Sequence, residues 1–479
     1  MLDVRTICRG PWRFLRYVPR LLALLLLAGA LAACSTARPW INQPLSAAEA
    51  AELERARSPI GDDGARSPSV LVAVTLSGGG ARAAAFGYGV LSELQNTPVR
   101  LRGRAGNLLD EVDVISGVSG GSIIAAYYAA FGSQGLPRFE QDFLRQNFQN
   151  SLITQTLRPG NLYDLSSPWF GRSQMLARRL DDLYQGRTYG DVERRPGHPA
   201  LLITATDLSL GAGFEFTGDQ FDLICSDLYS VPLSFAVAAS SAVPIVLSPL
   251  TLKNYAGQCP RPIPAEVAAP AVGDDYRVRL YREQARSYLD AAARPYIHLV
   301  DGGLSDNLGV RRLLDRSLAG GSLRGTLRSM QISPRSIRKL VLITVNSERD
   351  PAERIDASDK VPGTTQVVDA LLFGAGARAT QETQGFLADL ARQWKNELSR
   401  SGTDGADAFA SNADVHVIQV NLRDAPEWAD RRTLLQIPTA FTIAPQDVER
   451  LIEAGHEVLR RSPEFQALLH SLAQEPARP

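Results

Sequence analysis

Lysine is scarce in this sequence. Lys253, Lys339, Lys360 and Lys395 are the only four among 479 residues, and all other fixed positive charge is arginine. No lysine stands near a glycine-rich turn, so the pattern G-x-x-x-x-G-K-[ST], whose lysine grips nucleotide phosphates, is absent. A dinucleotide fingerprint is equally poor, because Ala83 stands where its third glycine belongs. There is also no excess of charge of one sign. Lys+Arg and Asp+Glu both total 51, and no basic block is interleaved with aromatics, which argues against nucleic acid as a partner. The four cysteines show no short Cys/His spacing around Cys225 or Cys259 that would make a zinc site, and no calcium loop occurs. The sequence thus calls for no metal and no cofactor. No apolar run reaches the roughly 20 residues of a membrane-spanning helix. Internal repeats and heptads are missing too.

Histidine is nearly absent as well, which matters for any serine-based chemistry. His198 lies in a proline-rich loop, His416 alternates within a strand, and His456 and His470 fall on terminal helices. His298 stands near the end of a strand. That makes His298 the first histidine to consider as a base; His416 and His456 do not follow the strand-end loop where a serine hydrolase would carry one, and each histidine reads more simply as a core, surface or capping residue.

What is present begins with an address. Arg5, Arg9, Arg13, Arg16 and Arg20 precede the apolar run Leu21 to Ala33, which is too short to span a bilayer and suits a secretory leader over residues 1–33. "LAAC", Leu31 to Cys34, resembles the lipobox of bacterial lipoproteins, in which the cysteine receives a diacylglycerol. Cys34 is then the lipidation site, and several acyl chains give stable anchoring at about 0.8 kcal/mol per buried CH₂. Ser35 rather than Asp follows the cysteine, so the expected place is the outer membrane, with its face open. Residues 34–69 read as a lipidated tether, and Arg57 to Ser69 is rich in proline, glycine and charge. In an oxidising compartment Cys225 and Cys259 are either a disulfide pair or two buried thiols.

From residue 70 to 479 the chain reads as one domain in which strands alternate with helices. "SVLVAVTLS", "EVDVISGVS", "PALLITATDLS", "RPYIHLVDGG", "RKLVLITVNS" and "DVHVIQVNL" are β-rich, and helical spacing follows several of them. Continuous apolar strands of this kind predict an α/β fold with a mostly parallel central sheet covered on both faces. Inserts fall at about 141–199 and 254–295, 403–414 reads as a polar loop, and Asp447 to Ser462 predicts a helix. In the first insert, Leu162 to Leu176 places Trp169 and Phe170 among polar residues, which fits core packing or a lid touching a bilayer.

Three short motifs carry chemistry. Gly117, Ser119 and Gly121 form G-x-S-x-G between a strand and a helix, a turn that lifts a serine hydroxyl above the sheet. The bland reading is a helix N-cap at Ser119. "LSGGGARAAAFGYGV" sets Gly78, Gly79 and Gly80 at a second strand–helix junction, where bare backbone aims N–H donors at a developing oxyanion; one such donor contributes about 2.7–4 kcal/mol to a transition state. "HLVDGGLSDN" ends a strand at Asp301, followed by Gly302 and Gly303, which leaves the carboxylate room to approach a nucleophile. Ser240, Ser241 and Asp306 read as shaping residues.

In order, spacing and residues these three motifs resemble the patatin-like phospholipase family. "TATDLSLG" (204–211) and "AVAASSAVPIVLSPL" (236–250) are similar to its intervening segments, and "QIPTAFTIAPQDVERLIEAGHEVL" to the closing segment of bacterial members. The likeness covers roughly Val70 to Asn346. It implies a three-layer α/β/α sandwich and a Ser-Asp dyad without histidine. Carried over by position, Ser119 is the nucleophile, Asp301 the base, Gly117 and Gly121 the elbow, and Gly78, Gly79, Gly80, Ala81 and Arg82 the oxyanion loop. Ser77 and Ala83 depart from that family's common Asp and Gly. The resemblance implies hydrolysis of fatty-acyl esters such as phospholipids at a membrane. A lipid-binding scaffold of the same fold, or an acyltransferase, remains the alternative.

Overall fold

Alternation along the strands decides the architecture. In β1 (Val70–Leu76), Val70, Val72, Val74 and Leu76 enter one apolar core while Leu71 and Ala73 face a second. In β9 (Ile337–Asn346), Val341, Ile343 and Val345 join the first core and Ile337 and Leu342 the second. A strand with apolar residues on both faces must be covered on both sides. The larger core holds the helices Gly80–Asn96, Gly120–Gly135 and Pro445–Arg461; the smaller holds Arg311–Ala319, Leu323–Ser329 and Ala375–Ser399. The result is a three-layer α/β/α sandwich. It is seen in a computed structural model that describes residues 35–56, 69–101, 104–195, 197–259, 276–319, 322–329, 336–349, 355, 358–370, 375–400, 409–427 and 430–474. The leader 1–33 and Cys34 lie outside the described residues.

The remaining strands are β2 (Pro98–Leu101), β3 (Arg104–Asn107), β4 (Val112–Val118), β5 (Ala200–Asp207), β6 (Ala212–Glu215), β7 (Leu250–Lys253), β8 (Tyr296–Val300) and β10 (Phe409–Asn421). β2 and β3 form a separate hairpin. The main sheet runs β10-β9-β1-β4-β5-β8-β7, with β6 paired to β5. From β10 to β5 all pairings are parallel; β6, β8 and β7 are antiparallel. The parallel half matches the sequence expectation. The antiparallel half escapes it because β6 and β7 are four residues each, too short for a periodic signal.

Two boundaries differ from expectation. Residues 409–414, expected within a polar loop, begin β10. Of the expected tether over 34–69, residues 35–45 are a strap laid on the domain, and residues 57–68 lie outside the described residues. Ser35, Asn42 and Leu45 are buried, and Trp40 packs against Phe235 with ring centroids 4.7 Å apart. The Asn42 side chain donates to Ser226 Oγ and to the Lys253 carbonyl, both at 2.8 Å, and accepts from Lys253 N–H at 2.7 Å. An extended strap held by side-chain amides has no apolar period, so nothing in its sequence announces it. Close by, a disulfide joins Cys225 to Cys259, with Cα atoms 5.3 Å apart. It closes a loop across the start of the second insert. Among the described residues no helix is long and apolar enough to cross a membrane.

Candidate active site

The strand–turn–helix from β4 into Gly120–Gly135 places Ser119 at φ 49°, ψ −120°, a conformation an L-residue adopts only under strain, typically about 1–3 kcal/mol. Neighbours hold it there. The Ser119 N–H donates to Ser240 Oγ at 2.8 Å, Ser240 in turn donates to the Thr204 carbonyl at 2.6 Å, and Ser122 Oγ donates to the Ser119 carbonyl at 2.6 Å. Gly117 and Gly121 are required by space: a Cβ on the first would lie 2.5 Å from Ser122 Cα, and on the second 2.4 Å from the Leu76 carbonyl. The Ser119 side chain does not cap its helix, so the N-cap reading is not what the geometry shows.

Instead, Ser119 Oγ donates to Asp301 Oδ2 at 2.8 Å, across 182 residues of sequence. Asp301 follows β8, which meets β5 only at Thr206 and Asp207. Its N–H donates to the Ala242 carbonyl at 3.0 Å, and its carbonyl accepts from Thr206 Oγ1 at 2.8 Å. Its second carboxylate oxygen, Oδ1, accepts from Gly303 N–H at 2.8 Å. Burial pushes the carboxyl up to about 6, against the opposing hydrogen bonds from Gly303 and Ser119. No histidine joins the pair. His298 meets Thr251, His456 meets Glu93, His198 and His416 lie beside Glu193 and Asp414, and His470 meets Gln474.

The five residues expected to form an oxyanion loop divide. Gly78 N–H donates to the Asn307 carbonyl at 3.1 Å, and Ala81 N–H to the Ala440 carbonyl at 2.7 Å, so neither is free to meet a substrate. Arg82 is buried and committed to backbone carbonyls: Nε donates to the Ser347 carbonyl at 2.9 Å and Nη1 to the Ile437 carbonyl at 2.6 Å. Burial, with Arg349 nearby, lowers its pKa to about 9, so it stays cationic at neutral pH. Gly79 and Gly80 remain. Both hold positive φ, 142° and 60°, and their N–H groups donate to no described residue. Gly80 packs directly on Gly120, where an added Cβ would lie 2.1 Å from the Gly80 carbonyl oxygen. The donor-bearing backbone thus sits beside the first turn of the serine's helix, whose dipole end is positive.

Sequence reading missed several parts of this frame. Asn307 Oδ1 would be 2.6 Å from a Cβ on Gly78, so Asn307 wedges between the glycine loop and the Asp301 turn. Ser347 Oγ donates to the Gly78 carbonyl at 3.0 Å. The stretch 437–440 clamps the loop from outside through backbone carbonyls. Such contacts carry no residue signature. Of the three expected shaping residues, Ser240 and Asp306 are hydrogen-bonded into the frame, whereas the buried Ser241 hydroxyl meets no partner among the described residues. Leu162 to Leu176 divides, with Phe170, Met175 and Leu176 buried and Trp169 exposed.

A family model described as patatin-like phospholipase matches residues 74–314, about half of the chain, and the chain belongs to that family. Comparison with curated proteins finds no match. Among solved structures, human GIVD cytosolic phospholipase A2 is 13% identical with a TM-score of 0.44, over 91% of this chain and 65% of the human one; this chain therefore spans less than two thirds of that protein. VipD from Legionella pneumophila is 12% identical with a TM-score of 0.32, over 85% and 68%. The type III effector protein ExoU is 18% identical with a TM-score of 0.19, over 86% and 77%.

Proposed function

We propose that the protein is a membrane-anchored serine lipid acyl hydrolase that cleaves fatty-acyl esters, phospholipids among them, with Ser119 as nucleophile and Asp301 as general base. The observation that carries this reading is the 2.8 Å bond from a strained, buried serine hydroxyl to a carboxylate whose proton affinity burial has raised. An ordinary aspartate, near 3.9, is a weak base, whereas one near 6 is ionised at neutral pH yet closer to the serine in proton affinity.

Ser119 Oγ attacks the ester carbonyl carbon, and its proton passes to Asp301 Oδ2. The tetrahedral oxyanion lies against the N–H groups of Gly79 and Gly80, with Gly120 at the helix start beside them. Collapse breaks the carbon–oxygen bond of the ester, and the leaving alcohol takes the proton from Asp301. Water then attacks the acyl-enzyme, gives a proton to Asp301, and the fatty acid departs as Ser119 recovers that proton. The apolar leader and the "LAAC" sequence support lipid attachment at Cys34 and an outer-membrane address.

The test is fatty-acid release from a short-chain ester and from phospholipid vesicles by the full chain and by Ser119→Ala. Release that depends on Ser119 is expected. Equal rates for both proteins remove Ser119 as nucleophile, inactivity of both on every ester favours the scaffold, and a transferred acyl chain without free fatty acid makes the protein an acyltransferase.

A further inference from the structure

The strap that follows Cys34 ends in a defined place. Ser35 N–H donates to Ser166 Oγ at 2.9 Å, Ser167 Oγ donates to the Ala37 carbonyl at 2.7 Å, and the Arg38 guanidinium lies over the Trp169 ring at 3.4 Å. The first described residue after the lipidation site is therefore fixed on the insert, beside the stretch that exposes Leu162, Tyr163 and Trp169. Three residues on, Arg172 donates to the Ile245 carbonyl at 2.7 Å, and Ser173 N–H donates to Ser248 Oγ at 3.2 Å. The loop it grips carries Ile245 and Val246, 67% and 61% exposed. Ile245 has φ 74°, a genuine outlier for a β-branched residue. The same loop starts at Ala242, whose carbonyl accepts the Asp301 N–H. A continuous run of contacts thus links the anchor point, an exposed apolar edge and the catalytic carboxylate.

Chance exposure of single apolar residues needs no explanation, but Trp, Tyr, Leu, Ile and Val gathered along one connected edge do. Aromatic side chains with a polar tip suit a lipid–water boundary. Arg38, Arg158 and Arg172 are exposed on the same segments, and the acid among them, Asp164, pairs with Arg178 at 2.8 Å, so the edge also suits anionic headgroups. Cys34 is covalently joined to Ser35, so a diacylglyceryl group on its sulfur enters the leaflet next to this edge.

We infer that the edge formed by Leu162, Tyr163, Trp169, Ile245 and Val246 is the face that lies in the lipid leaflet into which Cys34 is acylated, holding the Ser119–Asp301 site against that leaflet. The inference rests on the lipid-hydrolase and lipoprotein readings above and adds to them a fixed orientation. A short lipidated strap then works as a hinge pin and not as a long leash.

The experiment uses the full acylated chain in vesicles of phosphatidylethanolamine and phosphatidylglycerol. An environment-sensitive fluorophore is placed on Val246→Cys, and in a separate protein on Gln393→Cys, in the helix packed on β10 at the far edge of the sheet. Lipids carrying a nitroxide on the acyl chain are expected to quench the label at 246 by more than half and the label at 393 by less than a tenth. Equal quenching at both sites overturns the inference, and so does self-quenching at 246 without nitroxide, which marks a second copy as the occupant. Ile245→Asp combined with Val246→Asp is expected to reduce vesicle phospholipid hydrolysis at least tenfold while short-chain ester hydrolysis stays within twofold. Ester hydrolysis intact with no quenching at 246 overturns the orientation alone. A wild-type protein inactive on esters overturns the hydrolase reading instead.

Discussion

Asp301 and Asp306 stand five residues apart on one turn, both buried, and both have their carboxyls pushed up by burial. Their partners differ. Asp306 Oδ1 accepts the N–H groups of Leu308 and Gly309, and Oδ2 accepts that of Arg311 at 2.7 Å; both oxygens are committed to backbone. Asp301 gives one oxygen to Gly303 and leaves the other to a hydroxyl that can surrender its proton. Burial alone therefore does not make a base. What separates the two is whether the last partner of the carboxylate is a fixed amide or an exchangeable hydroxyl.

The largest effects test that contrast at the reacting pair. Ser119→Ala and Asp301→Asn are each expected to lower kcat by about four orders of magnitude or more, because members of a catalytic unit fail together; single-turnover acyl release measures both. Asp306→Asn leaves the dyad in place and is expected to act on stability, losing about 1–3 kcal/mol as a buried amide hydrogen loses its acceptor. Denaturant midpoints check it, and a rate loss as large as that of Asp301→Asn would erase the distinction.

The pH profile sharpens the comparison further. In the proposed mechanism Asp301 is ionised when it takes the serine proton, so log kcat/KM is expected to rise with unit slope below about pH 6 and flatten above it. Stability runs the other way. A carboxyl whose folded pKa lies above its unfolded value binds more protons when folded, so its contribution is favourable at low pH and is lost as pH rises from about 4 through 6. Asp301→Asn is accordingly expected to be the more stable protein at pH 8, by about 1–2 kcal/mol, with the difference shrinking by pH 4. Thermal unfolding at both pH values measures it. The smallest effect belongs to Ser240→Ala, which removes the acceptor of the Ser119 N–H and is expected to lower kcat about tenfold while leaving the pH midpoint in place.

How much of this could be read beforehand follows from the kind of signal each part carries. Ser119, Asp301 and the glycines announce themselves because turns that tight admit few residue types, and β1, β4, β5 and β9 because burial on both faces demands unbroken apolar runs. The strap of residues 35–45, the short antiparallel strands and the Ala81 and Arg82 contacts were hidden for the opposite reason. They depend on backbone carbonyls or on four-residue segments, which any sequence can supply. The glycine loop at residues 78–80 shows the boundary well. Its position was legible, but Gly78 and Ala81 proved to be occupied by Asn307 and Ala440, which only the folded chain brings near.

The clasp on that loop comes from Ile437 and Ala440, more than a hundred residues beyond the stretch that matches the family. The neighbouring helix Pro445–Arg461 rests on the loop's own helix so tightly that a Cβ on Gly89 would lie 2.1 Å from the Ile452 carbonyl oxygen. A polypeptide still emerging from the ribosome lacks both, and fragments ending before residue 437 are expected to release no fatty acid in a translation assay. Synthesis order would then keep the proposed activity silent until the last helices of the domain are made.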